Sequence, residues 1–330
     1  MKRRDFIAMA AAAPVLVSAP WVARAQTKKK VTYAYLLDPV YDSVTWAIRN
    51  GKIKSDMIDV EATGANIPTL LQATATKRFD VVMTAVIGVP AAAARGLDLR
   101  ILSAALYQSA QGQGGGVWVK KGSPIQSPVQ LKGKILASYA LRSTGYMYVR
   151  EAMRKEFGLN MALEGGDMKQ VEVVAPNLPA ALATGQADAA ALIHSQAFRA
   201  KESGDFVNIC ETGVIMNKHY GRTVSAVNVS YPEKLAARPE EFREFNRMIK
   251  ESVEYALKNR DEVFGALARQ AKIDRAYFDW WFDQTTEVPG TFTKDHGAAV
   301  VRGWEIAKNF GMIKSVPDLG KHTWEHVIRT

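Results

Sequence analysis

Cysteine is all but missing from this chain: Cys210 stands alone among 330 residues. That excludes an intramolecular disulfide and any zinc or iron–sulfur site built on several cysteines. Long apolar runs are missing as well. The stretch from Ile7 to Val17 falls short of the ~17–25 residues that cross a bilayer, and nothing later replaces it. Basic clusters are scarce: beyond residue 25 the only run is Lys28 to Lys30, without interleaved aromatics, which speaks against nucleic-acid binding and for a solvated tail. The chain has no G-x-S-x-G, S-x-x-K or H-E-x-x-H pattern, so the common signatures of serine and zinc hydrolases are lacking.

What the chain does carry begins at its first residues. Lys2, Arg3 and Arg4 precede the apolar run, and Ala23 and Ala25 flank Arg24, the three-part pattern of a removable export signal. Arg3-Arg4 followed by Asp5, Phe6 and Ile7 fits a twin-arginine signal, although paired basic residues also open ordinary ones. Cleavage after Ala25 removes four basic residues and one acidic, so the formal charge falls from +10 to +7. The expectation is a periplasmic protein of about 305 residues, enough for two domains with full cores.

The remainder reads as a repeated α/β grammar. Val31–Leu37 alternates as a strand, Asp42 and Ser43 can cap a helix through Ile48, Ile58–Ala62 is a second strand, Pro68 opens a helix, and Phe79–Met83 is a continuous apolar run suited to a buried parallel strand. The order recurs: strand Ile135–Tyr139, helix Gly145–Phe157 stopped by Gly158, strand Val171–Val174, a helix opened by Pro179, then Asp188–Ile193. Asn66-Ile67-Pro68 and Asn177-Leu178-Pro179 occupy matching junctions, where each Asn can cap a helix whose first turn tolerates Pro. Two similar α/β lobes follow from this. Gln111–Gly116, with four glycines in six residues, lies between two strands and opens no helix, so it reads as a crossover and not a dinucleotide loop. Beyond Pro239 the chain is helical, with apolar spacing at Phe242, Phe245, Met248 and Ile249, and is expected to wrap the first lobe.

Ligands of open parallel sheets lie beyond the carboxyl ends of the strands, where helix N-termini converge. That places Asp38, Tyr41, Asp42, Asn66, Thr84 and Ala85 in the first lobe, and Arg142, Ser143, Thr144, Asn177, His194 and Ser195 in the second, at a candidate cleft. Arg142-Ser143-Thr144-Gly145 sets a guanidinium and two hydroxyls at a helix mouth and suits an anion; the bland reading makes one hydroxyl a cap and turns Arg142 to solvent. Asp38 and Asp42 either face the cleft, where they repel an anion, or serve as caps. His322-Thr323-Trp324-Glu325-His326 matches H-x-x-E-H, but too little chain follows for a third zinc ligand, so no metal, cofactor or catalytic set is expected. Trp280-Trp281 between Phe278 and Phe282 reads first as core packing.

Phe79-Asp80-Val81-Val82-Met83, Pro90–Gly96, Lys121-Gly122-Ser123-Pro124-Ile125, Ser143-Thr144-Gly145 and Leu182-Ala183-Thr184-Gly185-Gln186-Ala187-Asp188 together resemble the periplasmic solute-binding proteins of nitrate, sulfonate and taurine ABC importers, a family that includes binders of thiamine-pyrimidine precursors. The resemblance runs from about Val31 to Ser230. It implies an α/β, two-lobed type II periplasmic-binding fold with a double-crossover hinge, lobe 1 being residues 26–112 and 226–330 and lobe 2 residues 113–225. It further implies a monomeric, non-enzymatic substrate-binding subunit that captures a small organic anion, sulfonate or carboxylate, and delivers it to a membrane permease. Where many members carry a Trp-Glu-Pro-like turn this chain has His194-Ser195-Gln196. An exported enzyme on the same fold and a sensory receptor are the alternatives.

Overall fold

A computed structural model describes residues 28–113 and 115–330; the export-signal reading lies outside the described residues. Among the described residues eleven strands form two sheets. The first contains β1 (Lys29–Leu36), β2 (Ile58–Ala65), β3 (Val81–Ala85), β4 (Arg100–Gln108), β10 (Val224–Ser230) and β11 (Thr286–Glu287), in the order β11-β4-β10-β3-β1-β2. The second contains β5 (Gly116–Lys120), β6 (Ile135–Ser138), β7 (Lys169–Glu172), β8 (Ala189–Leu192) and β9 (Phe206–Glu211), in the order β7-β6-β8-β5-β9.

The repeat read from the sequence is present in the same order, with element bounds that differ by a few residues, as in β7, Lys169–Glu172, against the expected Val171–Val174. In one sheet β1 lies parallel between β2 and β3, and antiparallel β10 follows β3. In the other, β6 lies parallel between β7 and β8, and antiparallel β5 follows β8. Each third strand is tied to the central one by an aspartate just before it. Asp80 Oδ2 accepts from Thr32 N at 3.0 Å and Asp188 Oδ2 accepts from Ile135 N at 2.8 Å. In both cases the aspartate amide donates back to the same residue's carbonyl, at 3.1 and 3.0 Å. Burial opposes ionisation of Asp80, but the Thr32 amide, Lys234 and Arg238 outweigh it and hold the carboxyl below its ordinary range.

Seven helices position the site: α1 (Pro39–Arg49), α2 (Ile67–Thr76), α3 (Gly88–Ala93), α4 (Thr144–Phe157), α5 (Leu178–Ala183), α6 (His194–Ser203) and α7 (Thr212–Tyr220). Asp38, extended at φ −158°, caps α1 through Val40 N at 3.3 Å with Pro39 in the first turn. The cap is therefore Asp38 and not Asp42 or Ser43; Asp42 sits in the first turn, accepting from the Tyr35 hydroxyl at 2.6 Å and pairing with Arg49. Asn66 caps α2 through Thr69 N at 2.9 Å, whereas Asn177 makes no capping bond, because a 3-10 turn over Ala175–Asn177 runs directly into α5. Ser143 caps α4, and Gly158 ends it at φ +66°.

The helical tail packs as its spacing predicts. In helix Pro239–Lys258 the residues Phe242, Phe245, Met248 and Ile249 are buried, and the Phe245 ring meets Tyr33 of β1 edge-on at 5.3 Å. Burial of one such side chain contributes roughly 1.5–3 kcal/mol. A chain of polar groups crosses the first sheet beneath it: the Tyr33 hydroxyl donates to Asn228 Oδ1, and Asn228 Nδ2 donates to Ser103 Oγ, each at 3.0 Å. These partners tie β10 to β4 beside it and, past β3, to β1, and a slipped register would orphan them.

Two expectations need correction. Lys29 and Lys30 belong to β1 and pair with Glu241 and Glu61, so the basic run is not a free tail. His322 closes a 3-10 turn, and the chain to His326 is not helical, so the two histidines do not share a helix face. No group that could hold a metal occurs among the described residues. Nor is any described helix long and apolar enough to cross a membrane.

Candidate functional site

The carboxyl ends of β1, β3, β6 and β8 converge on a cavity of about 200 Å³ between the two sheets. Leu36, Met83 and the α2 side chains Ile67 and Leu70 wall it from the first sheet; Tyr139, Tyr148, Val149 and Met216 wall it from the second. The crossovers close its back. Gly112 has φ +64°, and Gly116 lies so near β9 that a Cβ there would sit 2.1 Å from the Cys210 carbonyl, so only glycine fits.

Of the expected site residues, Thr84, Ala85, Ser143, Thr144 and His194 line this cavity. Asn66, Arg142 and Asn177 are exposed and stand outside its wall, and Asp42 is held by Tyr35 and Arg49. For Arg142 the bland reading holds: Ser143 is the helix cap and the guanidinium lies outside the cavity. Ser143 Oγ accepts from Tyr146 N at 3.2 Å and donates to the Ala140 carbonyl at 3.0 Å, while Thr144 Oγ1 accepts from Ile87 N, across from the other unit, at 3.2 Å.

Asp38, Tyr41 and Ser195 meet behind His194 and not at the cavity wall. Asp38 is 7% exposed, and its carboxylate accepts from Val40 N, the Tyr277 hydroxyl, Ser195 Oγ at 2.7 Å and Ser195 N at 3.4 Å. All four donors are neutral. A buried charge satisfied in this way is stable only while every donor stays in place. The carboxylate joins the first helix of one unit to the N-terminus of α6 in the other.

His194 is spent in the same contact. Its Nδ1 accepts from the Trp281 indole N–H at 3.0 Å, and an imidazole nitrogen that accepts carries no proton. The ring is therefore neutral with its proton on Nε2, 3.0 Å from the Tyr41 hydroxyl. Burial lowers the His194 pKa from the ordinary histidine value, against a smaller opposing pull from Asp38. Its backbone sits at φ +50°, a left-handed conformation that costs a residue with a Cβ about 1–3 kcal/mol and that its two side-chain bonds hold in place.

The wall so assembled is apolar with neutral hydroxyl and amide groups, and among the described residues no Lys, Arg, Asp or Glu side chain lines it. An anion there would meet the α4 N-terminus, worth ~0.3–1 kcal/mol and at best ~2. Leaving water unpaired costs an ion several kcal/mol, so that dipole alone does not balance the account.

Sequence reading missed Trp281, Tyr139, Tyr148 and Gln108. Trp281 reads as core in the sequence and is fully buried, yet its indole N–H is the group that sets the His194 tautomer. Tyr139 directly follows β6; its hydroxyl would lie 2.3 Å from a Cβ at Gly145, so this glycine makes room for the phenol at the mouth of α4. Burial pushes that phenol up to about 12.

Residues 54–263 match the family model described as NMT1/THI5 like. No curated protein matches the sequence. Among solved structures the chain resembles the periplasmic aliphatic sulphonate binding protein SsuA from Escherichia coli, with 14% identity, 91% of this chain and 99% of that one covered, and a TM-score of 0.70. It also resembles the alkanesulfonate-binding protein SsuA from Xanthomonas axonopodis pv. citri bound to MOPS (16% identity, 92% and 99% covered, TM-score 0.67) and the desulfurization enzyme DSZB (16%, 91% and 97%, 0.63). With well over half its length matched by the family model, and with two sheets facing each other across a cavity, the chain belongs to the NMT1/THI5-like family and has the periplasmic binding protein fold.

Proposed function

We propose that this chain is the substrate-binding subunit of an ABC importer, capturing a small organic molecule between two lobes and handing it to a membrane permease. The lobes would be residues 26–112 with 226–330, and residues 113–225, in a monomeric exported protein. The observation that carries the reading is the cavity itself: both sheets contribute its wall, and two sets of hydrogen bonds, Ile87 to Thr144 and Asp38 to Ser195, join the units at its edges. Ligand contacts made to both walls favour the joined arrangement, which is the thermodynamic requirement for closure on binding.

The sulfonate-binding neighbours and the hydroxyls at the α4 cap support an anionic ligand, while the uncharged wall weighs against it. DSZB supports the alternative of an enzyme on this fold, but the cavity brings together no nucleophile activated by a base: Cys210 is buried, with its thiol pushed up to about 12, and both nitrogens of His194 are occupied.

The test is a thermal-shift screen of the processed protein against sulfonates, carboxylates, nitrate, amides and pyrimidines. A ligand at 100 times its Kd adds about 2.7 kcal/mol of stability. A shift with a compound recovered unaltered supports the binding subunit. Turnover of any compound sinks it in favour of the enzyme.

A further inference from the structure

We propose that the cavity selects an uncharged organic molecule and rejects the carboxylate and sulfonate of the same body. The inference rests on the binding reading above and narrows its ligand. Three observations carry it.

First, the wall offers an ion no countercharge: its polar members are hydroxyls, amides and one imidazole held neutral by the Trp281 indole. Second, the charges beyond the wall carry both signs and do not single out an anion: the Arg302 guanidinium acts on the Tyr148 phenol, and Arg222 Nε donates to the Gln108 carbonyl at 2.6 Å. The Asp38 carboxylate lies directly behind His194 and acts on that ring electrostatically. Every group that hydrogen-bonds to it is neutral, and Asp38 itself is not among the residues that line the cavity. Third, the unspent hydrogen-bonding atoms around the cavity are neutral. Gln108 gives its Oε1 to the Thr223 hydroxyl at 3.2 Å, leaving Nε2 without an acceptor, and Thr285 Oγ1 is likewise without a partner. Glycine at 112 and 213 makes the space for that amide, since a Cβ at either would meet Nε2 at 2.7 or 2.4 Å. Neutral donors suit a carbonyl-type acceptor on an otherwise apolar body. Specificity here is a difference of affinities, in which an acid is disfavoured by the water it loses to a wall that offers it no countercharge.

The experiment uses one body with four ends: hexanamide, hexanoate, hexane-1-sulfonate and hexylammonium, titrated into the processed protein by calorimetry at pH 7.5 and repeated on Ala85→Lys, which puts a cation on the wall. Leu71→Lys, at the exposed rim, stands in if that variant does not fold. Hexanamide is expected to bind at least tenfold more tightly than either acid, and the lysine variant to raise hexanoate affinity at least tenfold. Either acid matching or exceeding the amide in the unsubstituted protein overturns the inference and leaves the binding function standing. Tighter binding of the ammonium overturns it too, in favour of a cationic ligand. Silence toward all four ends in both proteins counts against the binding reading and the ligand class together.

Discussion

Asp38 and Ser143 occupy the same place in the two repeats, each capping the helix that follows the central strand, yet they do opposite work. Ser143 spends its hydroxyl within its own turn and leaves the cavity neutral. Asp38 carries a charge, turns it away from the cavity, and uses it to hold the N-terminus of α6 and Tyr277. One cap serves local helix formation and the other serves contact between units. The pair shows how a binding fold can hold a buried carboxylate near its site without offering it to a ligand: enclose it in neutral donors that belong to different parts of the chain.

Removing the charged cap should show the contrast most strongly. Asp38→Ala leaves Val40 N, both Ser195 donors and the Tyr277 hydroxyl without their acceptor, and the loss is expected at about 3–5 kcal/mol in urea unfolding, the range seen when a buried charge network is broken. Ser143→Ala should cost only about 1 kcal/mol, the ordinary worth of a cap. Equal losses would mean that Asp38 is a helix cap and nothing more.

A smaller effect is expected from acid. The His194 pKa is lowered in the folded protein, so below the ordinary histidine value, near 6.5, the unfolded chain takes up a proton that the folded one refuses. Stability is then complete above about pH 7 and falls as the pH drops toward the folded value. Buried His296 has the same sign, so the diagnostic is the difference between the parent and His194→Gln: the variant should be less stable at pH 7.5 and lose fewer degrees of Tm on going to pH 5. An identical pH dependence in the two proteins would remove His194 as the titrating group.

Why some of this was legible in the sequence and some was not comes down to range. The repeated unit, the strand ends that face the cavity and the amphipathic tail are written in local periodicity, and Asp80 and Asp188 recur at matching places because each serves a strand only 48 or 53 residues away. The network behind His194 is assembled from partners 157 and 239 residues from Asp38, and nothing near Asp38 announces them. The cap of α1 is a local matter, since Pro39 marks the first turn of the helix and therefore points to Asp38 in place of Asp42. Arg142 shows the limit from the other side: a guanidinium beside a helix mouth is visible in the sequence, whereas the direction it takes is decided by the tertiary structure around it.

Thr144→Val tests the neutral side of the comparison with a smaller perturbation. The shape is nearly kept, but Ile87 N loses the acceptor it has across the cavity, and a loss of roughly 1 kcal/mol in stability is expected. If Thr144 serves closure as Asp38 does, the variant should also weaken hexanamide binding a few fold while leaving the helix content unchanged by circular dichroism. No change in affinity would confine the Thr144 contact to the resting structure.

The smallest effect belongs to Arg142, and its smallness is what gives it value. An exposed side chain outside the cavity wall should contribute within about 0.5 kcal/mol, so Arg142→Ala is expected to leave both stability and the amide-over-acid preference where they were. A tenfold loss of hexanoate or sulfonate affinity in this variant would mean that the guanidinium swings into the cavity when an anion arrives. The uncharged wall would then describe only the resting protein, and Ser143 would belong, with Arg142, to an anion-binding turn of the kind its position in the sequence first suggested.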